Sequence, residues 1–354
     1  MLVLHEQLET FRIEFSKRAS GFSLPNIRVE QVFHSGDQAV LNNPFVVSLP
    51  VCNQEKLIST TLAHLFDNID KQCTLVVILD ACHDLSKENV LEFLTRTPKT
   101  SFINTVVLLE TIDDLFESTC ENIVLAITNS QYFVSMQADI MFDDASILSR
   151  VEFGFNDQIT LFGISSRAIL PATNASSPRY SRVIYKAFGA FNVLTSRLFN
   201  VVQLPPFLTA NYYLGDVSKP PKDRMHFFGR QMKTVYLGDT LIRGPIFWRT
   251  EYLDTLGGFN DVKYPLGGDE RELCILGKEK FSFEVGYLPS TCYSNVWTGT
   301  SHNFINRTKK TVQNLEARNQ LQRTFDEIFV FRLSKEHLKG NRRKILRLAK
   351  GLER

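Results

Sequence analysis

Four short apolar runs separated by segments of helical spacing restrict what this chain can fold into more than any other feature. The runs are Phe45 to Leu49, closed by Pro50; Thr74 to Leu79, closed by Asp80; Thr105 to Leu109; and Tyr132 to Met136. Each has strand length and no polar alternation. Between them, Leu57 to Phe66 carries its apolar residues at helical intervals, and so do Phe116, Cys120, Ile123 and Ile127. The predicted order is β-α-β-α-β-α-β. Strands apolar on both sides, alternating with amphipathic helices, imply a parallel sheet covered on both faces. Sheets of this kind bind ligands at the carboxyl ends of their strands. The polar residues at those ends are therefore the first candidates for chemistry: Asn53 and Glu55, Asp80 to Asp84, and Gln137 to Asp139.

Asp139 directly follows the fourth run, where a carboxylate can share a divalent cation with phosphate oxygens or simply start a turn. A second acidic feature, Leu266 to Leu273 with Asp269 and Glu270 after two glycines, has two readings as well. Glycines admit a ligand close to the backbone and a carboxylate beside it can take a proton, while paired acids also suit the start of a helix. His83 sits among the strand-end residues, with a solvent-facing turn as its ordinary alternative. His302, in GTSHNF, is a candidate second ligand for an ion held by Asp139, because neutral imidazole binds manganese-like cations.

Beyond the fourth run the pattern loosens. Residues 170 to 235 carry the proline pairs Pro205-Pro206 and Pro220-Pro221, which predict long loops and short helices. A short strand is expected within Leu237 to Trp248, and helix from Lys309 onward, ending in the basic amphipathic stretch Asn341 to Lys350. Forty basic against 38 acidic side chains leave no field that would draw in nucleic acid. The six cysteines are widely spaced, which predicts reduced thiols and neither a zinc site nor a disulfide framework. No apolar run approaches the roughly 20 residues of a membrane span, and the N-terminus mixes charge into its apolar positions. The expectation is a cytoplasmic protein, with the basic C-terminal stretch as a peripheral contact for an anionic membrane or as a helix docked on the body.

Several of these segments resemble the motifs of family-two-like glycosyltransferases of the GT-A fold. PVCNQE (Pro50 to Glu55) resembles their P-V-Y-N-E-E opening, VVILDACHDLS their V-V-D-D-G-S-x-D segment, and FVSMQADI the strand that ends in D-x-D. RGPIFWRTEYLDTLGGFND looks like the acceptor-side strand, helix and L-G-G-F-D-E turn, and GGDEREL like the G-G-E-D-x-D-L segment with the catalytic base. The motifs keep the family order over residues 43 to 305.

The resemblance implies a GT-A (Rossmann-like) α/β fold, with a mixed and mostly parallel sheet flanked by helices. It divides the chain into an N-terminal extension, 1–42; a transferase domain, 43–305, with a nucleotide-sugar half at 43–150 and an acceptor half at 151–305; and a C-terminal helical segment, 306–354. It implies sugar transfer from a nucleoside-diphosphate sugar to a hydroxyl of a glycan, glycolipid or protein-linked acceptor, with inversion and with Mn2+ or Mg2+ as cofactor. Pro50, Asn53, Glu55, Asp80, Asn122 and Gln137 would surround the nucleotide, Asp139 would hold the metal, and Glu270 with Asp269 would supply the base. Three departures bear on this. Gln137 stands where the first aspartate of D-x-D is expected, Ala81-Cys82-His83 replaces D-G-S, and the acid pair is D-E and not E-D. A degenerate, non-catalytic GT-A binding protein and a nucleotidyltransferase are the alternatives, the second lacking a glycine-rich phosphate loop in PVCNQEK.

Overall fold

A computed structural model describes residues 2–18, 25–34, 41–97, 102–142, 144–169, 235–238, 241, 244–264 and 269–295. The chain divides into two compact units: the first holds the described residues of Met1–Met141 and Phe247–Asp269, the second those of Phe142–Ile246 and Glu270–Val296. No described helix is long and apolar enough to cross a membrane.

The predicted alternation is observed in the first unit. It runs β2 (Phe45–Val51), α2 (Ile58–Asn68), β3 (Cys73–Asp80), α3 (Ser86–Arg96), β4 (Ile103–Thr111), α4 (Phe116–Ile127) and β5 (Tyr132–Ser135). β2 lies parallel to β3 and to β5, and β3 parallel to β4. The spatial order is therefore β4-β3-β2-β5, so the chain winds outward from β2 to β4 and then returns to the other side of β2. That reversal makes a topological switch point between β2 and β5, the place where a crevice opens at the carboxyl edge of an α/β sheet.

Burial follows the sequence pattern. All of Val46, Val47, Leu75, Val76, Val77, Ile78, Leu108, Phe133 and Val134 are withdrawn from water. α2 covers the sheet with Ile58, Leu62, Leu65 and Phe66, a stripe at helical spacing. Phe66 meets Phe93 of α3 edge-on, centroids 5.5 Å apart. At the amino ends of the strands, Asn43, just before β2, donates to the Thr74 hydroxyl at 2.8 Å and to Asn104 Oδ1 at 2.7 Å, tying it to β3 and β4 through side chains.

The stretch 1–42, expected as an N-terminal extension, contributes a strand to the sheet itself. α1 (Leu2–Arg18) buries Leu4, Leu8, Phe11 and Phe15 and packs on α4. β1 (Ile27–His34) joins the sheet antiparallel to β4 as its edge strand. Arg12 links the two, donating to the carbonyls of Pro25 (3.1 Å) and Ile27 (2.7 Å). Lys87 of α3 sits 3.0 Å from both Glu30 of β1 and Glu110 of β4.

After β5 a turn leads into β6 (Ile140–Phe142). The second unit contains α5 (Ile147–Asp157) and β7 (Leu161–Ile169). β8 (Tyr236–Gly238) follows, and the strand expected within Leu237 to Trp248 is two strands, because Gly244-Pro245 precede a separate β9 (Ile246–Arg249). β9 and α6 (Thr250–Leu256) return to the first unit, beside β5 in the sheet order. α7 (Asp269–Phe281), from Glu270 onward, and β10 (Glu284–Asn295) complete the second unit, where β10 runs parallel to β7 and antiparallel to β8. The loops expected over 170–235 lie, apart from Val235, outside the described residues, as do the helix from Lys309 onward and the basic stretch.

Candidate functional site

Three strand-end segments of the first unit gather the polar residues singled out in the sequence. After β2, the chain leaves the sheet at Val51 and turns through Asn53, whose φ of 52° is left-handed, a conformation asparagine tolerates better than most residues. Asn53 Oδ1 accepts the backbone N–H of His83 at 2.8 Å. Asp84 Oδ2 accepts the N–H of Glu55 at 2.9 Å, and Glu55 Oε2 accepts the N–H of Leu85 at 3.3 Å. Ser86 Oγ takes the N–H of Gln54 (2.7 Å), and Asn89 donates to the Glu55 carbonyl (2.8 Å). The segments after β2 and β3 are thus laced into one rigid lip, with Pro50, Asn53 and Glu55 half-buried along it. Ser86 and Asn89 were not singled out in the sequence; a polar pair at the start of α3 was their signal.

Asp80 ends β3 on the inside of that lip. It is buried, Oδ1 accepting from the Thr111 hydroxyl and the N–H of Leu115 and Oδ2 from the N–H of Phe116, each at 2.9 Å. Burial, with Asp114 nearby, pushes its carboxyl up to about 7 despite these donors. What Asp80 does in this structure is hold the β4–α4 connection, including Phe116 in a left-handed conformation with φ 62°. Cys52 and Cys82 flank it; burial raises both thiols, Cys82 to about 11. Cys52, Cys73, Cys82, Cys120 and Cys274 are free thiols, and Cys73, Cys120 and Cys274 are buried.

Asn122 is equally committed within the fold. Its Nδ2 donates to the Phe259 carbonyl and to Asp261 Oδ2, both at 2.8 Å, and its Oδ1 accepts the N–H of Phe259 at 2.9 Å. It clamps the turn after α6, where Gly257 and Gly258 have φ of 84° and 76°. Gly258 N–H reaches Leu253 O and Gly257 N–H reaches Asp254 O, a Schellman closure. A Cβ on Gly258 would stand 2.8 Å from Asn122 Oδ1.

The third segment follows β5. Met136 N–H still bonds Ser48 O of β2 (3.1 Å), and Ile140 N–H closes a turn onto Gln137 O (3.1 Å). Gln137 and Asp139 are half-buried, whereas Met136, Ala138 and Ile140 are buried, so the two polar side chains alternate with an apolar set. The β2 and β5 segments flank the switch point, which brings Asn53, Glu55, Gln137 and Asp139 to the carboxyl edge of neighbouring strands. A carboxylate and an amide oxygen are hard donors of the kind Mg2+ or Mn2+ takes, and such ions keep further positions for phosphate and water. The pair fits that chemistry. Among the described residues no group of three or more His, Cys, Asp or Glu is placed to hold a metal. His302 lies outside the described residues.

α7 begins with the acidic pair, Asp269 closing a segment of the first unit and Glu270 opening one of the second. Asp269 and Glu270 are both buried and lie at helical spacing with the buried Leu273, Cys274 and Gly277, so they occupy the covered stripe of the helix. At Gly277 a Cβ would lie at ordinary contact distance, 3.5 Å, from Phe162 and Phe283. A solvated helix start is therefore not their setting.

No protein-family model matches the chain, and no curated protein sequence does. Among solved structures, the chain is similar to mannosyltransferase PcManGT from Pyrobaculum calidifontis, in complex with GDP-Man and Mn2+, at 13% identity and a TM-score of 0.48, over 90% of this chain and 74% of that one. It is similar to S. aureus TarS 1–349 at 12% identity and a TM-score of 0.46, over 79% and 73%. GalNAc-T7 with UDP, GalNAc and Mn2+ gives 10% identity and 0.47, over 72% and 44%. Likeness at this level carries no function to this chain.

Proposed function

We propose that the chain is a GT-A-type glycosyltransferase that moves a sugar from a nucleoside-diphosphate sugar to an acceptor hydroxyl. The observation that supports this reading is the convergence of Asn53, Glu55, Gln137 and Asp139 on the switch point between β2 and β5. Pro50, Asn53 and Glu55 line the nucleotide side. Asp80 and Asn122 serve it indirectly, one holding the β4–α4 connection and the other the turn after α6. Asp139, with Gln137, would hold Mn2+ or Mg2+, which when bound supplies positive charge for the departing diphosphate.

Glu270 takes the proton of the acceptor hydroxyl, which attacks the anomeric carbon as the nucleoside diphosphate leaves; Asp269 orients it. A single displacement of this kind inverts the anomeric centre. The likeness of GGDEREL to the family segment that carries the base supports this role. The acceptor is a glycan, a glycolipid or a protein-linked group, and the basic stretch Asn341 to Lys350 suits a peripheral membrane contact from the cytoplasmic side.

The deciding experiment is product formation from UDP-, GDP-, CMP- and dTDP-sugars, with donor hydrolysis as the acceptor-free readout, each with and without Mn2+. Binding of a nucleotide sugar without hydrolysis or transfer under any condition would favour the non-catalytic GT-A alternative.

A further inference from the structure

α2 carries a threonine in the middle of its apolar stripe. Thr61 is fully buried between Ile58, Leu62 and Leu65. A helical threonine normally returns its hydroxyl to the carbonyl four residues earlier. Here the backbone N–H of Thr61 uses the Leu57 carbonyl, and the hydroxyl instead donates to Ala138 O at 2.7 Å, across 77 residues of sequence. Ala138 lies between Gln137 and Asp139 and is itself buried.

The turn is fastened at three points: Met136 N–H to Ser48 O, Ile140 N–H to Gln137 O, and Thr61 Oγ1 to Ala138 O. The first two are backbone bonds that any sequence could make. The third is a side-chain bond, it is dry, and it joins the helix on one side of the switch point to the segment on the other. Loss of a buried donor leaves the carbonyl without its partner, and the peptide between Gln137 and Asp139 is then free to rotate.

We propose that Thr61 is a positioning residue: it fixes the Ala138 carbonyl and so aims Asp139 and Gln137 toward the cation and diphosphate of the donor. This rests on the function proposed above. Thr61→Val keeps the shape and removes the hydroxyl, and Thr61→Ser keeps the hydroxyl. Amide hydrogen exchange in the full chain without ligand is expected to quicken about tenfold over residues 136–142 in Thr61→Val, the ratio that corresponds to one buried hydrogen bond, with α2 unchanged and Thr61→Ser close to wild type. UDP and GDP binding, measured with and without Mn2+, is expected to lose about tenfold in its Mn2+-dependent part in Thr61→Val only. Unchanged exchange over 136–142, loss of protection spread through α2, or failure of serine to rescue would overturn the proposal. A wild type whose nucleotide binding ignores Mn2+ would remove the metal reading, and the exchange result would then decide on Thr61 by itself.

Discussion

Both carboxylate oxygens of Asp80 receive donors from the segment after β4, and Asp114, Cys52, Cys82 and Cys120 surround a group withdrawn from water. Its carboxyl holds a proton more tightly in the folded protein than in the unfolded chain, so its contribution to stability is complete below about pH 4 and is lost as pH rises toward 7. Thermal unfolding between pH 5 and 7 should show wild type losing stability relative to Asp80→Asn by up to about 1.4 kcal/mol per unit. Asp114→Asn should move that window to lower pH; parallel pH profiles in wild type and Asp80→Asn would refute the assignment. At the acidic pair, Glu270→Gln should lower turnover by about 10²- to 10⁴-fold with nucleotide affinity near wild type, and Asp269→Asn should do less. The reverse ranking would move the base role to Asp269. Asp139→Asn should abolish the gain in nucleotide binding that Mn2+ brings.

The elements differ in how legible they were, for identifiable reasons. β2 to β5 were readable because both faces are covered, which demands unbroken apolar runs. α1 buries Leu4, Leu8, Phe11 and Phe15 at helical spacing, but apolar residues off that stripe, such as the exposed Ile13, blur the pattern in LVLHEQLETFRIEF. β1 left almost no signal, since IRVEQVFH is an edge strand whose exposed and half-buried positions admit arginine, glutamate and glutamine. If α1 is structural, Leu8→Ala should destabilise the chain by about 2 to 3 kcal/mol in urea unfolding. An unshifted midpoint would mean that α1 docks without contributing to the core. The turn after α6 was visible as LGGFND, yet its anchor was not. Asn122→Ala should cost about 1 to 3 kcal/mol by leaving the Phe259 N–H unmatched, with little effect on nucleotide binding.

For the molecule as a whole, the proposed donor site makes a ligand-dependent stability prediction. The matching nucleotide sugar at a hundred times its dissociation constant should stabilise the chain by about 2.7 kcal/mol, and only one base class should do so. A melting temperature indifferent to all four classes, with Mn2+ present, would count against the site at the β2–β5 switch point.

Local pattern alone was enough to specify that this chain builds a parallel α/β sheet, and that its polar residues of interest lie at strand ends. Hydrophobic periodicity is a property of neighbours in sequence, and burial on one or both faces writes it there directly. Which of those polar residues are tied to distant parts of the chain was decided by tertiary structure. Asp80 and Asn122 look as available as Asn53 and Asp139 in the sequence. Their partners, Leu115 and Phe116 for one and Phe259 and Asp261 for the other, stand 35 to 139 residues away, and folding brings those donors and acceptors to them. Thr61 is the converse case, a residue that helical pattern assigns to the core and that only the path of the chain places against Ala138. Hydrogen bonds across such distances leave no periodicity, because each joins a single pair of atoms that the fold, and not the spacing, brings within reach.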